Sequence, residues 1–192
     1  TPDAVVQITS TTEAQNIVNL CRRRRVPVVP RGAGTGLEGG CVAYSGGVVI
    51  DTGLMKSMSL DRTQRTATVG AGALKNELNA FLEPHGFIFG PDPSSNPSIG
   101  GMASTGGSGL STLKYGTSKE NIVSMKVVTP KGDVIETRRN VRKNSTGYDL
   151  NALYLGAEGT LGVITELTVT LFPIPVRKST RLNSSHNQIS YA

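Results

Sequence analysis

The sequence predicts an α+β domain, and three observations carry that prediction. Amphipathic helical stretches at 11–21 and 74–85 are mixed with short apolar strand-like runs, without strict alternation of strand and helix. Two strand pairs read as hairpins, one across Asp61-Arg62-Thr63 and one across Pro130-Lys131-Gly132-Asp133. Ten of the 23 glycines fall in just two segments, residues 30–40 and 91–109, which interrupt the periodic pattern. A length of 192 residues suits one substantial domain with its own core.

The elements follow in order. Ala4-Val5-Val6-Gln7-Ile8 reads as a short strand. Ser10 and Glu13 have capping-box spacing, and they open a helix whose apolar face is Ala14, Ile17, Val18 and Cys21. Arg22-Arg23-Arg24-Arg25 closes that helix, where cations complement the dipole. Val26-Pro27-Val28-Val29 is the next strand and runs directly into the first glycine segment. Gly47-Val48-Val49-Ile50-Asp51 returns as a buried strand, completing a small β-α-β unit with its loop at a strand end. Strands at 58–60 and 66–69 pair, and a helix over 74–85 buries Leu74, Leu78, Phe81 and Leu82. The second small-residue segment follows, with Ile99 and Met102 among its glycines, a pattern that argues for a packed turn over a free linker. Strands at 123–129 and 134–137 form the second hairpin. A short helix over 150–155 and a final alternating strand over 163–172 end the pattern.

Composition narrows the function. Hydrophobic residues make up 37% of the chain with no long apolar run, which excludes a membrane-spanning helix. The first residues carry no basic stretch followed by an apolar one, so no signal peptide is visible. No Met begins the chain, and the true N-terminus is expected to be missing. The net charge of +6 invites a nucleic-acid reading. However, residues 177–192 resemble a translated sequencing adapter and are expected to be an artefactual tail that packs against nothing. That tail holds three basic residues and no acidic one, so the body falls to +3. With no Trp and 5% aromatics, what remains is a poor platform for stacking bases, and no nucleic-acid partner is expected. Cys21 and Cys41 are too few and too far apart for a metal site or a disulfide framework. Cys21 is expected to be packed and Cys41 partly exposed.

Gly34-Thr35-Gly36-Leu37-Glu38-Gly39 matches the G-x-G-x-x-G dinucleotide fingerprint in form only. That fingerprint needs a helix directly after the glycines, and here the next strand arrives too soon to leave room for one. No Gly-Lys-Ser/Thr ends the loop, so it is not a Walker P-loop either. Bare amides in such a loop suit an oxyanion such as a pyrophosphate. A turn with no ligand stays open for the first loop taken alone. In the second segment, Thr105 and Ser108 are expected to supply hydroxyl donors.

The chain then resembles a known family, the FAD-binding (PCMH-type) domain of vanillyl-alcohol-oxidase flavoproteins. Within it, the nearest resemblance is to the FAD-linked D-lactate dehydrogenase and glycolate oxidase subunit group. The motifs are Pro30-Arg31-Gly32-Ala33-Gly34-Thr35-Gly36-Leu37-Glu38-Gly39-Gly40, Pro91-Asp92-Pro93, Ile99-Gly100-Gly101-Met102-Ala103 and Lys114-Tyr115-Gly116-Thr117. They continue through Lys143-Asn144-Ser145-Thr146-Gly147-Tyr148-Asp149-Leu150 and Glu158-Gly159-Thr160-Leu161-Gly162-Val163-Ile164-Thr165. The resemblance implies one FAD-binding domain over 1–176, built of subdomains at about 1–55 and 56–176 with the cofactor between them. A C-terminal substrate or cap domain is expected to be missing.

By position, the resemblance implies that Arg31, Gly32, Ala33, Gly34, Thr35, Gly36 and Leu37 hold the FAD pyrophosphate. Pro91 and Asp92 flank the cofactor, and Gly100, Gly101, Thr105, Gly106, Ser108 and Gly109 line its diphosphate and flavin side. Tyr115 joins the site, while Glu158, Gly162 and Ile164 close the channel. For Glu158 a capped turn, and for Ile164 simple core, remain the alternative readings. Some relatives attach FAD through a histidine of the first loop; here that loop has none, so FAD is expected to be held non-covalently. His85 falls in a helix-end turn and is expected to be structural.

The activity the resemblance implies is oxidation of a small D-2-hydroxy acid, first of all D-lactate, to the 2-oxo acid by hydride transfer to flavin N5. The implied acceptor is cytochrome c or a quinone-linked protein, and the implied setting in a eukaryote is mitochondrial. The catalytic residues are expected in the missing domain, so the chain is expected to bind FAD without turning over. Glycolate, 2-hydroxyglutarate, a sugar alcohol or alkyl-ether-lipid synthesis are alternative chemistries on the same fold. A phosphate- or nucleic-acid-binding module is the non-enzymatic alternative.

Overall fold

A computed structural model describes residues 1–138 and 146–175. Two sheets and the helix between them make the frame. β1 (Ala4–Gln7), β2 (Val28–Arg31) and β3 (Val48–Asp51) form a parallel sheet in the order β1-β3-β2. Helix α1 (Thr11–Arg24) crosses from β1 to β2. Its start is built as the sequence indicates: the Ser10 hydroxyl accepts the Glu13 amide at 3.2 Å. The return arm of the box goes to Thr9, whose amide and hydroxyl both donate to the Glu13 carboxylate. Arg25 ends the helix in the left-handed conformation, and the four arginines lie in solvent.

The second sheet is antiparallel, in the order β4-β5-β9-β7-β8. It comprises β4 (Met58–Asp61), β5 (Thr66–Gly70), β7 (Ile122–Val128), β8 (Val134–Glu136) and β9 (Val163–Thr170). α2 (Lys75–Leu82) and α3 (Ile99–Thr105) cover it, burying Leu78, Leu82, Ile99 and Met102 with Val69, Met125, Val127 and Leu167. Short helices α4 (Thr112–Tyr115), α5 (Ser118–Asn121) and α6 (Leu150–Tyr154) complete the described chain. β6 (Phe87–Ile88) pairs with β10 (Phe172–Pro173) as a separate ribbon.

α1 joins the two sheets. Ala14 and Val18 pack with Ile8, Ile50 and Met55 on one side and with Val128 and Val163 on the other. Thr11 donates to the Thr165 hydroxyl at 2.9 Å, and the Gln15 amide group donates to the Gly132 carbonyl at 2.7 Å. Cys21 is buried in this layer, where burial pushes its thiol up, while Cys41 is partly exposed. The site-forming loops are therefore anchored to two sheets that share one helix.

Three expectations need correction. The strand expected over 26–29 lies at Val28–Arg31, because the Val26 amide is spent on the Cys21 carbonyl at the end of α1. β2 is an edge strand, so Pro30 fits there without costing a ladder hydrogen bond. The strand expected over 163–172 breaks at Leu171, whose amide goes to the Arg65 carbonyl while Phe172 turns to β6. The packed turn around Ile99 and Met102 is a helix, capped by the buried Ser98. Glycines at 100 and 101 each disfavour a helix by about 1 kcal/mol relative to alanine. Gly100 is nonetheless required, since a Cβ there would lie 2.7 Å from the Ala71 Cβ and 2.9 Å from its carbonyl oxygen. The tail over 177–192 and Lys143, Asn144 and Ser145 of the quoted motif lie outside the described residues.

Three helix-start glutamates give the fold a pH dependence. The Thr9 amide lowers the Glu13 pKa, Lys56 and then the Leu74 amide lower that of Glu77, and the Thr117 hydroxyl lowers that of Glu120. A depressed folded-state pKa stabilises above the unfolded value and is lost as pH falls through the folded one. Thermal melts are expected to be flat around neutrality and to decline below about pH 4.3, the ordinary glutamate value. Glu77→Gln should make that decline shallower; a melting temperature that rises on acidification would contradict the assignment.

Candidate functional site

A cavity of about 560 Å³ opens where β2 ends. This is the carboxyl edge of a parallel sheet, the place where ligand crevices form in such sheets. Thr52 pins the edge: its amide and hydroxyl both donate to the Arg31 carbonyl, at 2.9 and 3.1 Å. Beyond Arg31 the chain leaves the sheet as the first glycine loop. Opposite it stand residues 93–98, one face of α3, and the turn leading into β9.

A single buried hydroxyl sets the distance between the two glycine segments. Ser98 Oγ accepts the Gly101 amide at 3.2 Å, capping α3, and the Ala33 amide at 3.4 Å across the cavity. Only glycine fits at position 32, where a Cβ would stand 2.0 Å from that oxygen. Gly34 is in the left-handed region at φ 70°, and the Arg31 guanidinium folds back over it. The amides of Gly34, Thr35, Gly36 and Leu37 donate to nothing among the described residues. Four successive open amides beside one guanidinium make a site for an anion.

Gly36 supplies a direct test of fit for a bound group. Its φ is ordinary and a Cβ there would meet nothing within 4 Å, so the folded chain has no need of glycine at this position. Gly36 is also one of the residues that line the cavity. Met102, Ala71, Ile164 and Pro93 add apolar wall. An amide cradle joined to an apolar slot of this size fits a ligand with a diphosphate and a flat ring, as FAD has.

The structure gathers most of the residues that the sequence indicates. Arg31, Gly32, Ala33, Gly34, Thr35, Gly36 and Leu37 line the cavity, as do Gly100, Gly101, Thr105, Ser108, Glu158, Gly162 and Ile164. Pro91, Asp92, Gly106, Gly109 and Tyr115 do not line it. Asp92 turns to Lys75 at 2.6 Å, and Gly109 lies against the Asp92 backbone. Gly106 ends α3 in the left-handed conformation. Tyr115 packs on Phe172 with ring centroids 4.7 Å apart. The Thr105 hydroxyl donates to the Gly101 carbonyl, so it offers the cavity an acceptor and not the donor expected. The first amides of α3 are likewise spent inside the protein, on Ala73, Ala71 and Ser98. Within the second segment α3 therefore shapes the cavity, while open donors are left by the first loop and by Ser108, whose amide and hydroxyl also donate to nothing among the described residues.

Glu158 reaches the site through an unusual backbone. It adopts φ 50°, with left-handed Gly156 and Gly159 on either side. The Gly156 and Glu158 amides donate to the Ala103 and Ser104 carbonyls, so this turn caps the C-terminal end of α3. Its carboxylate lies close to Gly40. His85 lies away from the cavity in a 3-10 turn, within 2.8 Å of Arg62 and edge-on to Phe81. Sequence reasoning missed Ser98, Thr52, Glu38, Cys41 and Ala71 as lining residues. Ser98 alone left a trace, its cap spacing three residues before Gly101.

Comparison with known proteins agrees with this geometry. A family model described as an FAD binding domain matches residues 2–138. The chain is 45% identical over 175 residues to the mitochondrial D-lactate dehydrogenase (cytochrome) of Arabidopsis thaliana, covering 91% of this chain and 31% of that protein. It is 40% identical over 187 residues to the glycolate oxidase subunit GlcD of Bacillus subtilis, covering 94% of this chain and 39% of that protein. A solved structure of an alkyldihydroxyacetonephosphate synthase superposes with a TM-score of 0.80 at 31% identity, over 89% of this chain and 32% of that one. The chain thus spans between 31% and 39% of the length of these relatives. The fold is the α+β, PCMH-type fold that the sequence resemblance implies.

Gly32 and Gly36 separate structural from ligand-driven need for glycine. Gly32→Ala is expected to displace Ser98 and to cost about 1–3 kcal/mol of stability. Gly36→Ala should stay within about 0.5 kcal/mol of the parent chain. Chemical denaturation without ligand measures both, and equal losses would contradict the assignment.

Proposed function

The chain belongs to the FAD binding domain family and its cofactor is FAD; on that footing we propose that it is the cofactor-holding part of a flavoprotein dehydrogenase of D-2-hydroxy acids, with D-lactate as the first candidate substrate. The observation that carries this reading is the row of open amides from Gly34 to Leu37, in residues that line one cavity with Met102, Ala71 and Ile164 and are bridged to α3 by Ser98. When bound, FAD supplies a hydride acceptor. The chain's own part is to bind and to orient. The amides and Arg31 hold the diphosphate, Ser98 keeps the loop at its distance, and Met102, Ile164 and Ala71 shield the ring from water. In this reading the chain divides near residue 55 into two subdomains, with the cofactor between them.

FAD is held non-covalently in this proposal, because the first loop carries no histidine. Among the lining residues Arg31 is the only Lys, Arg or His. In this reading it is committed to the diphosphate, so the groups that bind the substrate carboxylate and take its hydroxyl proton are to be sought beyond the described lining residues, first in the part of the relatives that this chain does not span. A cytochrome acceptor and a mitochondrial setting follow from the Arabidopsis relative's name in the same proposal. The synthase likeness favours alkyl-ether-lipid chemistry as the second reading.

Reconstitution of the chain with FAD should give a yellow protein that releases all its flavin on acid precipitation; flavin that stays in the pellet would overturn non-covalent binding. Gly36→Ala should weaken FAD binding about tenfold, read by flavin fluorescence quenching, if a methyl group there displaces the diphosphate. Cys41 lines the cavity and should alkylate more slowly when FAD is bound, while buried Cys21 should react only on unfolding. For substrate, the complete protein should lose its flavin absorbance on anaerobic addition of D-lactate. Full absorbance with D-lactate would count against the leading substrate.

A further inference from the structure

Lys75 stands where local rules disfavour a lysine, and only its partners make the place tenable. It is the first residue of α2, where the helix dipole disfavours a cation. It is also only 7% exposed, which is rare for lysine unless it is paired. Its ammonium reaches two acceptors on one neighbouring segment, Asp92 Oδ1 at 2.6 Å and the Pro93 carbonyl at 3.1 Å. The same turn of α2 grips that segment again further along. The Lys75 amide donates to the Pro97 carbonyl and the Asn76 amide to Asn96 Oδ1, both at 3.0 Å.

The gripped segment has little else to hold it. Between β6 and α3 it forms no regular secondary structure, and prolines at 91, 93 and 97 remove backbone donors. Yet Pro93, Ser95 and Pro97 form a wall of the cavity. On its far side the Asp92 carbonyl accepts the Leu110 amide at 3.1 Å. Asp92 is thus the fixed point from which the wall begins, and Lys75 is the side chain that fixes it.

We propose that Lys75 is a positioning residue for FAD, which acts through Asp92 and Pro93 to set the wall at residues 93–97 against the cofactor. Lys75 itself does not line the cavity. The inference rests on the reading of this cavity as the FAD site. A cation kept at a helix start that disfavours it, with its bonds spent on the wall of a cavity, is where a functional constraint is expected.

The test is FAD titration of the whole chain, wild type against Lys75→Met, Asp92→Asn, the double variant and Lys75→Arg, with the visible circular dichroism of bound flavin as a second readout. Lys75→Met and Asp92→Asn are each expected to raise the Kd for FAD about tenfold and to alter the flavin dichroism. The double variant should be no worse than either single one. Lys75→Arg should return the Kd to within about threefold of wild type, since it keeps the charge and the donors. A lowered melting temperature with unchanged Kd and dichroism would overturn the inference and leave Lys75 a purely structural residue. So would additive losses, or an Arg variant no better than Met. Asp92 has a side chain 56% exposed, so Asp92→Asn should fold even if Lys75→Met does not, and an unchanged Kd there is equally decisive. Wild-type chain that takes up no FAD would instead overturn the reading of the cavity itself.

Discussion

The Ser98 hydroxyl is the contact on which the site depends. It caps α3 and, through Ala33, holds the first glycine loop across the cavity from that helix. Remove the oxygen and Ala33 loses its bond across the cavity, leaving the start of the loop held by Thr52 and the β2–β3 ladder, which end at Arg31. Four open amides on a loop free to move would lose the preorganisation that makes them an anion cradle. Ser98 is 1% exposed, so the hydrogen bond works in a low-dielectric setting, where losing it costs most. The glycine at position 32 follows from this contact and is not an independent feature.

The division of labour between the glycine segments explains what could be read from the sequence and what could not. Alternation, cap spacing and turn residues are local, so β1, α1 and the two hairpins, β4–β5 and β7–β8, were legible to within a residue or so at their ends. The absence of a helix after Gly39 was legible too, and it correctly removed the Rossmann reading. Helix α3 was not, because Ile99-Gly100-Gly101-Met102 has poor helix propensity and its stability comes from close contact with Ala71. That contact is tertiary, and no window of sequence contains it. The same reason hid the fate of Asp92 and Tyr115: each carries a motif signature, but Lys75 and Phe172 take them away from the cavity.

Backbone strain gathers at one place in the site. Glu158 is a non-glycine residue in the left-handed region, a conformation that costs on the order of 1 kcal/mol or more. Two hydrogen bonds, from the Gly156 and Glu158 amides to carbonyls at the end of α3, hold the turn in place and offset that cost. α3 is therefore fixed at both ends by groups that also line the cavity, Ser98 at its start and Glu158 at its finish. A helix of seven residues is too short to be stable alone, so its order and the cavity's order are one property.

Charge completes the argument about what such a site can do unaided. The lining offers one guanidinium and two carboxylates, Glu38 and Glu158. A diphosphate held as proposed, by the loop amides and Arg31, would take up the only positive charge among the described lining residues. A small carboxylate substrate placed in the same cavity would then meet two glutamates and no free cation among the lining residues. Anion binding at one end and hydroxy-acid binding at the other cannot both draw on Arg31. On the proposed reading the described lining is therefore a cofactor cradle, and cations for a 2-hydroxy acid have to come from outside that lining.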